Sequence, residues 1–233
     1  QGELIQTAKL AVLGELSASI SHELNNPLAA IRSYADNARQ FITLNKFKNA
    51  DENLSRIADL TERMAKISSQ LKFFARKSSG NLETVKIQFV IQTAIEIVKP
   101  HSKRNSIKVT TKQIKPTLRA KAEIIQLEQV LINLINNAMN AIGDKPQGEV
   151  IIRTEQQKEW VLIHVEDNGP GINENHLGKI FDPFFTTRKS GLGLGLSISA
   201  RILDSMNGHL SATNLPAGGA RLTISLMAVE KKQ

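Results

Sequence analysis

The stretch Leu16-Ser17-Ala18-Ser19-Ile20-Ser21-His22-Glu23-Leu24-Asn25-Asn26-Pro27-Leu28 sets the pattern of the first third of the chain. Its large apolar side chains recur every four residues, which is the spacing of one face of an α-helix. The same face continues on both sides and comprises Leu13, Leu16, Ile20, Leu24, Leu28, Ile31, Ala35, Ala38 and Ile42. We therefore predict a long amphipathic helix with His22 in its middle part.

A second amphipathic helix follows a polar turn predicted at residues 45–49. Its apolar face comprises Leu54, Ile57, Thr61, Met64, Ile67, Leu71 and Phe74. We place its N-cap near Asp51, with Glu52 adding negative charge to the first turn, where it favours the helix dipole. Two helices alone cannot bury both apolar faces, so we expect the hairpin to pair with a copy of itself as a four-helix bundle. The chain is thus predicted to be a homodimer.

The pattern changes after a small, polar segment at residues 77–81, which is typical of a linker. We predict strands at residues 85–89, from residue 107, and at 150–156, 161–166, 210–213 and 221–226, with helices at 90–99, 123–142 and 194–206. This mixture indicates a sheet covered by helices, an α/β sandwich. The fold class of the whole chain is therefore α+β.

Composition excludes several classes of function. The chain has no cysteine, which rules out disulfides, thiolate metal sites and cysteine nucleophiles. No apolar run reaches the length of a membrane span. The formal net charge is +8, but the basic residues are scattered and no aromatic side chains interleave them. We therefore expect no nucleic-acid partner.

The segment around His22 suits phosphoryl chemistry. A histidine with a pKa of about 6.5 offers a neutral nitrogen lone pair near neutral pH. A neighbouring carboxylate such as Glu23 can fix the ring tautomer, and Asn26 lies on the same helical face as His22. Pro27 removes a backbone hydrogen bond and clashes with the carbonyl of Glu23, which bends the helix beside the histidine. A structural histidine beside a proline kink is the alternative.

Three further segments carry polar or glycine patterns that suit a nucleotide. Asn133 and Asn137 lie one helical turn apart, and their amide oxygens suit Mg²⁺, although two solvent-facing residues would have this spacing too. In Glu166-Asp167-Asn168-Gly169-Pro170-Gly171-Ile172 the glycines permit close backbone approach, and the Asp167 carboxylate can accept a hydrogen bond from an adenine amine. A tight turn is the alternative there.

The third of these segments is rich in glycine. Ile180-Phe181-Asp182-Pro183-Phe184-Phe185-Thr186-Thr187-Arg188 leads into Gly191-Leu192-Gly193-Leu194-Gly195-Leu196-Ser197 and a predicted helix. Free backbone N–H groups and the helix dipole at such a place can hold phosphates. The segment contains no P-loop Gly-Lys-Ser/Thr, and its glycines do not open an early βαβ unit as a dinucleotide fingerprint does.

In order and spacing these blocks resemble the H-box, N-box, G1 box, F-box and G2 box of sensor histidine kinases, whose ATPase domain is of the GHKL type. Residues 16–38 look most like the C4-dicarboxylate sensor kinases. The resemblance implies a dimerisation and histidine-phosphotransfer domain at residues 1–80 and a catalytic ATP-binding domain at 81–233. It also implies ATP and Mg²⁺ as cofactors, and transfer of the phosphoryl group to an aspartate of a response-regulator receiver domain.

The resemblance implies a role for each matching residue. His22 would be the phosphoacceptor, Glu23 its orienting base, and Asn26 the residue that positions water for dephosphorylation of the partner. Asn137, with Asn133 near it, would bind Mg²⁺. The nucleotide would be held by Asp167, Gly169, Gly171, Thr187, Arg188, Gly191, Gly193, Leu194 and Gly195. Two departures are visible: only two residues separate Arg188 from Gly191, and no basic residue follows the N-box before Lys145.

Two other functions compete with the kinase. One is a GHKL ATPase that is not a kinase, which would need no histidine on a two-helix hairpin. The other is a nucleotide-binding scaffold or phosphatase that does not phosphorylate itself. Since the chain begins at Gln1, we expect a cytoplasmic fragment of a longer protein of the bacterial inner membrane, with membrane contact only through segments missing from this chain.

Overall fold

The structure is a computed structural model that describes residues 25–75, 82–104, 106–188 and 193–229. The chain divides into two compact units, Gln1–Lys77 and Ser78–Gln233. The predicted boundary at residue 80 falls among residues 76–81, outside the described ranges, and the assignment of domains stays a prediction. Among the described residues, no helix has both the length and the apolar character that crossing a membrane requires.

The first unit is a helical hairpin, as predicted. Helix α1 is described from residue 25 to 43, and α2 spans Phe47–Ala75. Asn45 has a left-handed backbone (φ 55°), which asparagine tolerates better than most residues. The Arg56 guanidinium lies 5.7 Å from the centre of the Tyr34 ring and joins the two helices.

The start of the second helix was predicted wrongly. The carbonyl of Lys46 accepts a hydrogen bond from the N–H of Ala50 (3.2 Å), so the helix begins at Phe47. Asp51 is therefore not an N-cap, and Glu52 lies beyond the first turn. The polar residues 48 and 49 resembled a turn because they lie on the exposed side of the helix.

The second unit contains seven strands and four helices among its described residues. These are β1 Glu83–Lys86, α3 Ile87–Arg104, β2 Lys108–Thr111, β3 Arg119–Ala122, α4 Ile124–Ile142, β4 Glu149–Gln157, β5 Trp160–Asp167, α5 Glu174–Leu177, α6 Gly195–Ser205, β6 His209–Asn214 and β7 Ala220–Met227. Five strands form one sheet in the order β2-β4-β5-β7-β6, with only β2 and β4 parallel. The sheet and its helices confirm the predicted fold class.

The core lies between one face of this sheet and the helices. Alternate residues of β4, β5 and β7 are buried there, among them Ile152, Ile163 and Ile224. They face the apolar side of α4, which comprises Leu127, Val130, Leu131, Leu134, Ile135, Ala138, Met139 and Ile142. Each fully buried large aliphatic side chain contributes about 1.5–3 kcal/mol. The core therefore fixes α4 against the sheet.

The prediction for residues 85–89 was wrong in its second half. The strand ends at Lys86 and pairs antiparallel with β3, and Ile87 begins α3. Ile87 is fully buried whereas Phe89 is 59% exposed, so the two do not share an inward face as the predicted alternation required. Three apolar positions are too few to distinguish a period of two from one of 3.6. Strand β3, Arg-Ala-Lys-Ala, was missed because it has no large apolar side chain.

Candidate active site

Helix α4 places the two predicted asparagines on one side, both half-buried. The side-chain amide of Asn133 donates to Ser199 Oγ on α6 (2.8 Å). Its Oδ1 would lie 2.7 Å from a Cβ built on Gly195, so a side chain at the start of α6 would displace the Asn133 amide. The Asn137 side chain makes no hydrogen bond to another described residue. The side-chain amide of Asn137 is thus available to a ligand.

Asp167 ends β5 and is 7% exposed. Its Oδ1 accepts hydrogen bonds from the N–H groups of Gly169 (2.8 Å) and Ala220 (3.3 Å). Burial raises the pKa of this carboxyl, and the two N–H groups together with the charge of Lys145 oppose that rise. With Oδ1 engaged, Oδ2 is the oxygen left to accept a hydrogen bond from a ligand.

The loop that follows Asp167 passes close to α4. A Cβ on Gly169 would lie 3.3 Å from the carbonyl carbon and oxygen of Ala141 in the last turn of the helix. Gly171 adopts φ 80°, a conformation that favours glycine. These contacts explain the two glycines of the segment and bring Asp167 to the same end of the domain as Asn137.

Asn168 ties this loop to the connection between α4 and β4. Its N–H donates to the carbonyl of Glu149 (3.2 Å), and its Oδ1 accepts from the N–H of Glu149 (2.9 Å). Its Nδ2 donates to the carbonyl of Gln147 (2.9 Å), and Lys145 Nζ donates to the carbonyl of Asn168. Lys145 therefore contacts the loop that carries Asp167.

The phenylalanine-rich segment approaches the same helix. Arg188 Nη2 donates to the carbonyl of Asn137 (2.9 Å), and the N–H of Arg188 donates to Thr186 Oγ1 (3.1 Å). Phe184 has a left-handed backbone (φ 65°), which is unusual for a bulky residue. The N–H of Phe184 donates to the carbonyl of Gly193 (3.1 Å). A Cβ on Gly193 would lie 2.4 Å from the carbonyl carbon of Phe184. Phe184 and Gly193 are therefore in direct contact.

The remaining predicted residues differ in what the structure says of them. Thr187 is exposed. Leu194 is the N-cap of α6, but its side chain is only 3% exposed, so it can meet a ligand only through its backbone. Asn26 is exposed near the described start of α1. His22, Glu23 and Gly191 lie outside the described residues, as does the predicted bend at Glu23.

Contacts in the structure therefore join three of the predicted segments to α4. Asn133 contacts α6, Arg188 contacts Asn137, and Gly169 lies against Ala141. Among the described residues, no group of three or more His, Cys, Asp or Glu side chains could hold a metal. A hard cation here would depend on an amide oxygen and on oxygens of the ligand itself.

Three supporting residues of this site were missed from the sequence. Ser199 holds Asn133, the N–H of Ala220 holds Asp167, and Asn214 binds the backbone of Ile172. Gly218-Gly219 signals a tight turn before Ala220, but nothing local shows that this turn contacts Asp167. These are contacts between residues far apart in the chain, which spacing patterns do not reveal.

Two family models match the chain. The model described as "Histidine kinase-, DNA gyrase B-, and HSP90-like ATPase" matches residues 122–230, and the model described as "His Kinase A (phospho-acceptor) domain" matches residues 12–80. The solved catalytic domain of the histidine kinase ThkA is 30% identical, with a TM-score of 0.58 over 63% of this chain and 95% of that domain. The chain belongs to the sensor histidine kinase family.

Longer sensor kinases align with nearly the whole chain. The C4-dicarboxylate transport sensor protein DctB of Pseudomonas aeruginosa is 40% identical over 97% of this chain, and that of Rhizobium meliloti is 38% identical over 94%. The chain spans 38% and 35% of the lengths of these two relatives. The histidine kinase ThkA in complex with the response regulator TrrA aligns with 98% of the chain at 25% identity, with a TM-score of 0.77.

Membership of the family accounts for the shape of the second unit. Its elements from α4 to β7 fall within the ATPase match, so this unit is a GHKL-type nucleotide-binding fold. The predicted likeness to C4-dicarboxylate sensor kinases is confirmed by the two DctB relatives.

Proposed function

We propose that this histidine kinase chain transfers the γ-phosphoryl group of Mg-ATP to His22 and passes it to an aspartate of a response-regulator receiver domain. The observation that carries the proposal is the approach of the Asp167 loop, the Arg188 segment and α6 to one helix, α4. The match of residues 12–80 to a phosphoacceptor domain supports His22 as the group that receives the phosphoryl group.

The residues present fit a magnesium nucleotide. Asp167 Oδ2 would accept from the adenine amine, while Gly169 lets the loop that carries Asp167 pass close to Ala141 of α4. Asn137 would hold Mg²⁺ through its amide oxygen, and Asn133 positions α6 through Ser199. When bound, Mg²⁺ neutralises charge on the phosphate oxygens. The backbone N–H groups at Gly193, Leu194 and Gly195 and the Arg188 guanidinium would add to this neutralisation.

The chemistry at His22 needs few groups. A ring nitrogen of neutral imidazole attacks the γ-phosphorus, the bond from that phosphorus to the β,γ-bridging oxygen breaks, and ADP leaves. Glu23 would hold the proton on the other ring nitrogen before the reaction and take it up afterwards. Asn26 would later position a water against the phosphorylated receiver. Catalysis therefore depends mainly on positioning and charge neutralisation.

The partners follow from the same family relation. ThkA was solved in complex with a response regulator, which supports a receiver domain as the phosphoryl acceptor of this chain. Exposed apolar side chains on the hairpin support a homodimer: Leu28, Ile42, Leu44, Phe47 and Leu54 are each at least half exposed in the single chain. A second copy would cover this surface in a four-helix bundle.

Magnesium dependence tests the nucleotide half of the proposal. We expect the chain to bind ATP by calorimetry, and the Asn137→Ala variant to lose most of the increase in affinity that Mg²⁺ gives. Asn140→Ala, one helical turn further on at an exposed position, is the matched control and should bind as the original chain does. Equal magnesium dependence in both variants would remove Asn137 from the site.

A further inference from the structure

We propose that Asn214, at the end of β6, is a positioning residue for the loop that reads adenine. The inference rests on the proposed nucleotide function and deepens it. Asn214 lies outside the H, N, G1, F and G2 boxes and 47 positions after Asp167 in the numbering. It does not touch the nucleotide in this proposal; it acts through the backbone of Ile172.

The contact is a double hydrogen bond. Asn214 Oδ1 accepts from the N–H of Ile172 (2.7 Å), and its Nδ2 donates to the carbonyl of the same residue (2.7 Å). One side chain thus satisfies both backbone groups of a loop residue, as a neighbouring β-strand would. Such a pair fixes the position and the orientation of the Ile172 peptide groups together.

The same hairpin holds the other end of the loop. The turn between β6 and β7 is closed by hydrogen bonds from the N–H of Leu215 to the carbonyl of Gly219 (2.9 Å) and from the N–H of Gly218 to the carbonyl of Leu215 (3.0 Å). Gly219 packs so closely that a Cβ on it would lie 1.9 Å from the carbonyl oxygen of Asp167. Ala220 then donates its N–H to Asp167 Oδ1.

The Asn214 side chain packs against Gly171 of the same loop. A Cβ on Gly171 would lie 3.0 Å from Asn214 Oδ1 and would press on the Asn214 amide, and the φ of 80° also favours glycine. The hairpin therefore contacts the adenine-reading segment at its start, through Gly219 and Ala220, and at its end, through Asn214. We infer that Asn214 holds this segment in its binding conformation before ATP arrives.

This role predicts a particular kinetic signature. A residue that only pre-forms the binding loop supports the ground state and the transition state equally, so its loss raises KM and leaves kcat unchanged. For Asn214→Ala we expect ATP affinity to fall about tenfold. This corresponds to losing the net free energy of about one hydrogen bond that holds the loop in its binding conformation. Phosphorylation of His22 at saturating ATP should stay within about twofold of the original rate.

The selectivity for ATP over GTP distinguishes positioning of the loop from support of the fold. If Asn214 only stabilised the fold, its loss would not change this selectivity. GTP carries a carbonyl where ATP carries its amine, so Asp167 rejects it only while the carboxylate is held in place. The ratio of ATP affinity to GTP affinity should therefore fall in Asn214→Ala. Thr213→Ala, at the adjacent exposed position of β6, is the matched control and should change neither the ratio nor the melting temperature.

A double substitution tests the contact directly. Gly171→Ala introduces a methyl group against Asn214 Oδ1 in the original chain, but not in the Asn214→Ala background. The backbone strain is the same in both, so the loss of ATP affinity caused by Gly171→Ala should be smaller in that background. Additive losses of ATP affinity would overturn the proposal that Asn214 positions this loop.

Other outcomes are equally decisive. An Asn214→Ala variant that binds ATP within twofold of the original chain would overturn the proposal while leaving the kinase assignment intact. So would a variant in which KM, kcat and melting temperature all deteriorate together, because Asn214 would then support the fold and not the loop. If the original chain itself binds no ATP, the proposed function fails first.

Discussion

At the scale of single residues, the site depends on a buried carboxylate. Asp167 carries its charge into a place where burial raises its pKa, and two backbone N–H groups only partly compensate. A group whose pKa is raised on folding costs stability when it is ionised. This cost is absent below the pKa of the unfolded chain and is present above the pKa of the folded one. In the proposed function, this cost follows from burying a carboxylate that accepts a hydrogen bond from adenine.

Asp167→Asn should therefore separate stability from function. An amide oxygen can still accept from Gly169 and Ala220, so we expect the variant to be at least as stable as the original chain at pH 7. ATP affinity should fall at least about tenfold, because an amide N–H₂ in place of Oδ2 cannot accept from the adenine amine. Thermal melting and calorimetry measure the two quantities. Unchanged ATP affinity would exclude Asp167 as the adenine reader.

The pH dependence of that variant is a separate prediction. The stability difference between Asp167→Asn and the original chain should grow as pH rises from about 4 to 7, since only the original chain then ionises a buried carboxyl. Urea titrations across this range measure it. A difference that stays constant with pH would mean that Asp167 ionises in the fold as freely as it does in the unfolded chain.

Glu166 lies on the opposite face of β5 from Asp167, and its pKa is shifted in the opposite direction. Burial raises the pKa of this carboxyl, but hydrogen bonds from Arg153 (3.0 Å) and Arg221 (2.8 Å) outweigh burial and leave the pKa lowered. Glu166→Gln should cost about 2 kcal/mol of stability at pH 7, because two arginines lose a charged partner that is only 5% exposed. This stabilisation is present above the unfolded pKa and is lost as pH falls through the folded one.

Glu155 provides the control for that variant. It lies on the neighbouring strand, is more exposed, and is 3.8 Å from His164. Glu155→Gln should change stability by no more than about 0.5 kcal/mol, because the Glu155 side chain is 44% exposed and its contact with His164 is long. Chemical denaturation of both variants makes the comparison, and equal losses would mean that the two arginines do not depend on Glu166.

At the scale of elements, long periodic segments were predictable and short ones were not. Helix α4 has eight buried residues at helical spacing, and its predicted bounds differ from the observed ones by one residue. The β4–β5 hairpin was also predicted. The boundary between strand β1 and helix α3 was misplaced, because too few apolar residues were present to distinguish the strand period of two from the helix period of 3.6. The four-residue strand β3 was missed.

The site divides in the same way. Asn137 and Asp167 lie in local motifs and could be proposed from the sequence. Asn214, Ser199 and Ala220 could not, because their roles arise from contacts across the fold, formed only when β6, β7 and α6 are in place. Sequence motifs identify groups that could touch the ligand, whereas the residues that hold those groups depend on topology.

The turn between β6 and β7 gives an element-scale prediction with a built-in control. Gly218 and Gly219 have similar backbones (φ 90° and 93°), but only Gly219 has a close neighbour, the carbonyl of Asp167. Both Gly→Ala changes should cost about 1–3 kcal/mol through strain. Gly219→Ala should cost more and also weaken ATP binding. Urea denaturation and calorimetry measure both, and equal effects at the two positions would contradict the close packing.

At the scale of the whole molecule, the hairpin leaves large apolar side chains uncovered. In this unit Ala38 and Ala50 are buried, whereas Leu28 is 54% and Leu54 is 52% exposed. A helical hairpin with an uncovered apolar face is stable when a second copy covers it. The exposed apolar residues therefore favour a dimer over a monomer.

Leu54→Asp should weaken this dimer at least about tenfold, because it places a charge on a surface that a second copy buries. Sedimentation over a range of protein concentrations measures the shift. Ile125→Asp, at a 67% exposed apolar position in the catalytic unit, is the matched control and should leave the dimer unchanged. A monomeric original chain, or equal weakening by both changes, would contradict the proposed interface.

The most direct test of the kinase assignment is the covalent product. The chain and its His22→Gln variant are incubated with Mg²⁺ and γ-labelled ATP, and the bound label is challenged with acid and with base. We expect label that is labile in acid, stable in base and absent from the variant, as for a phosphohistidine at residue 22. Label that persists in His22→Gln, or no label in a chain that binds ATP, would contradict the account.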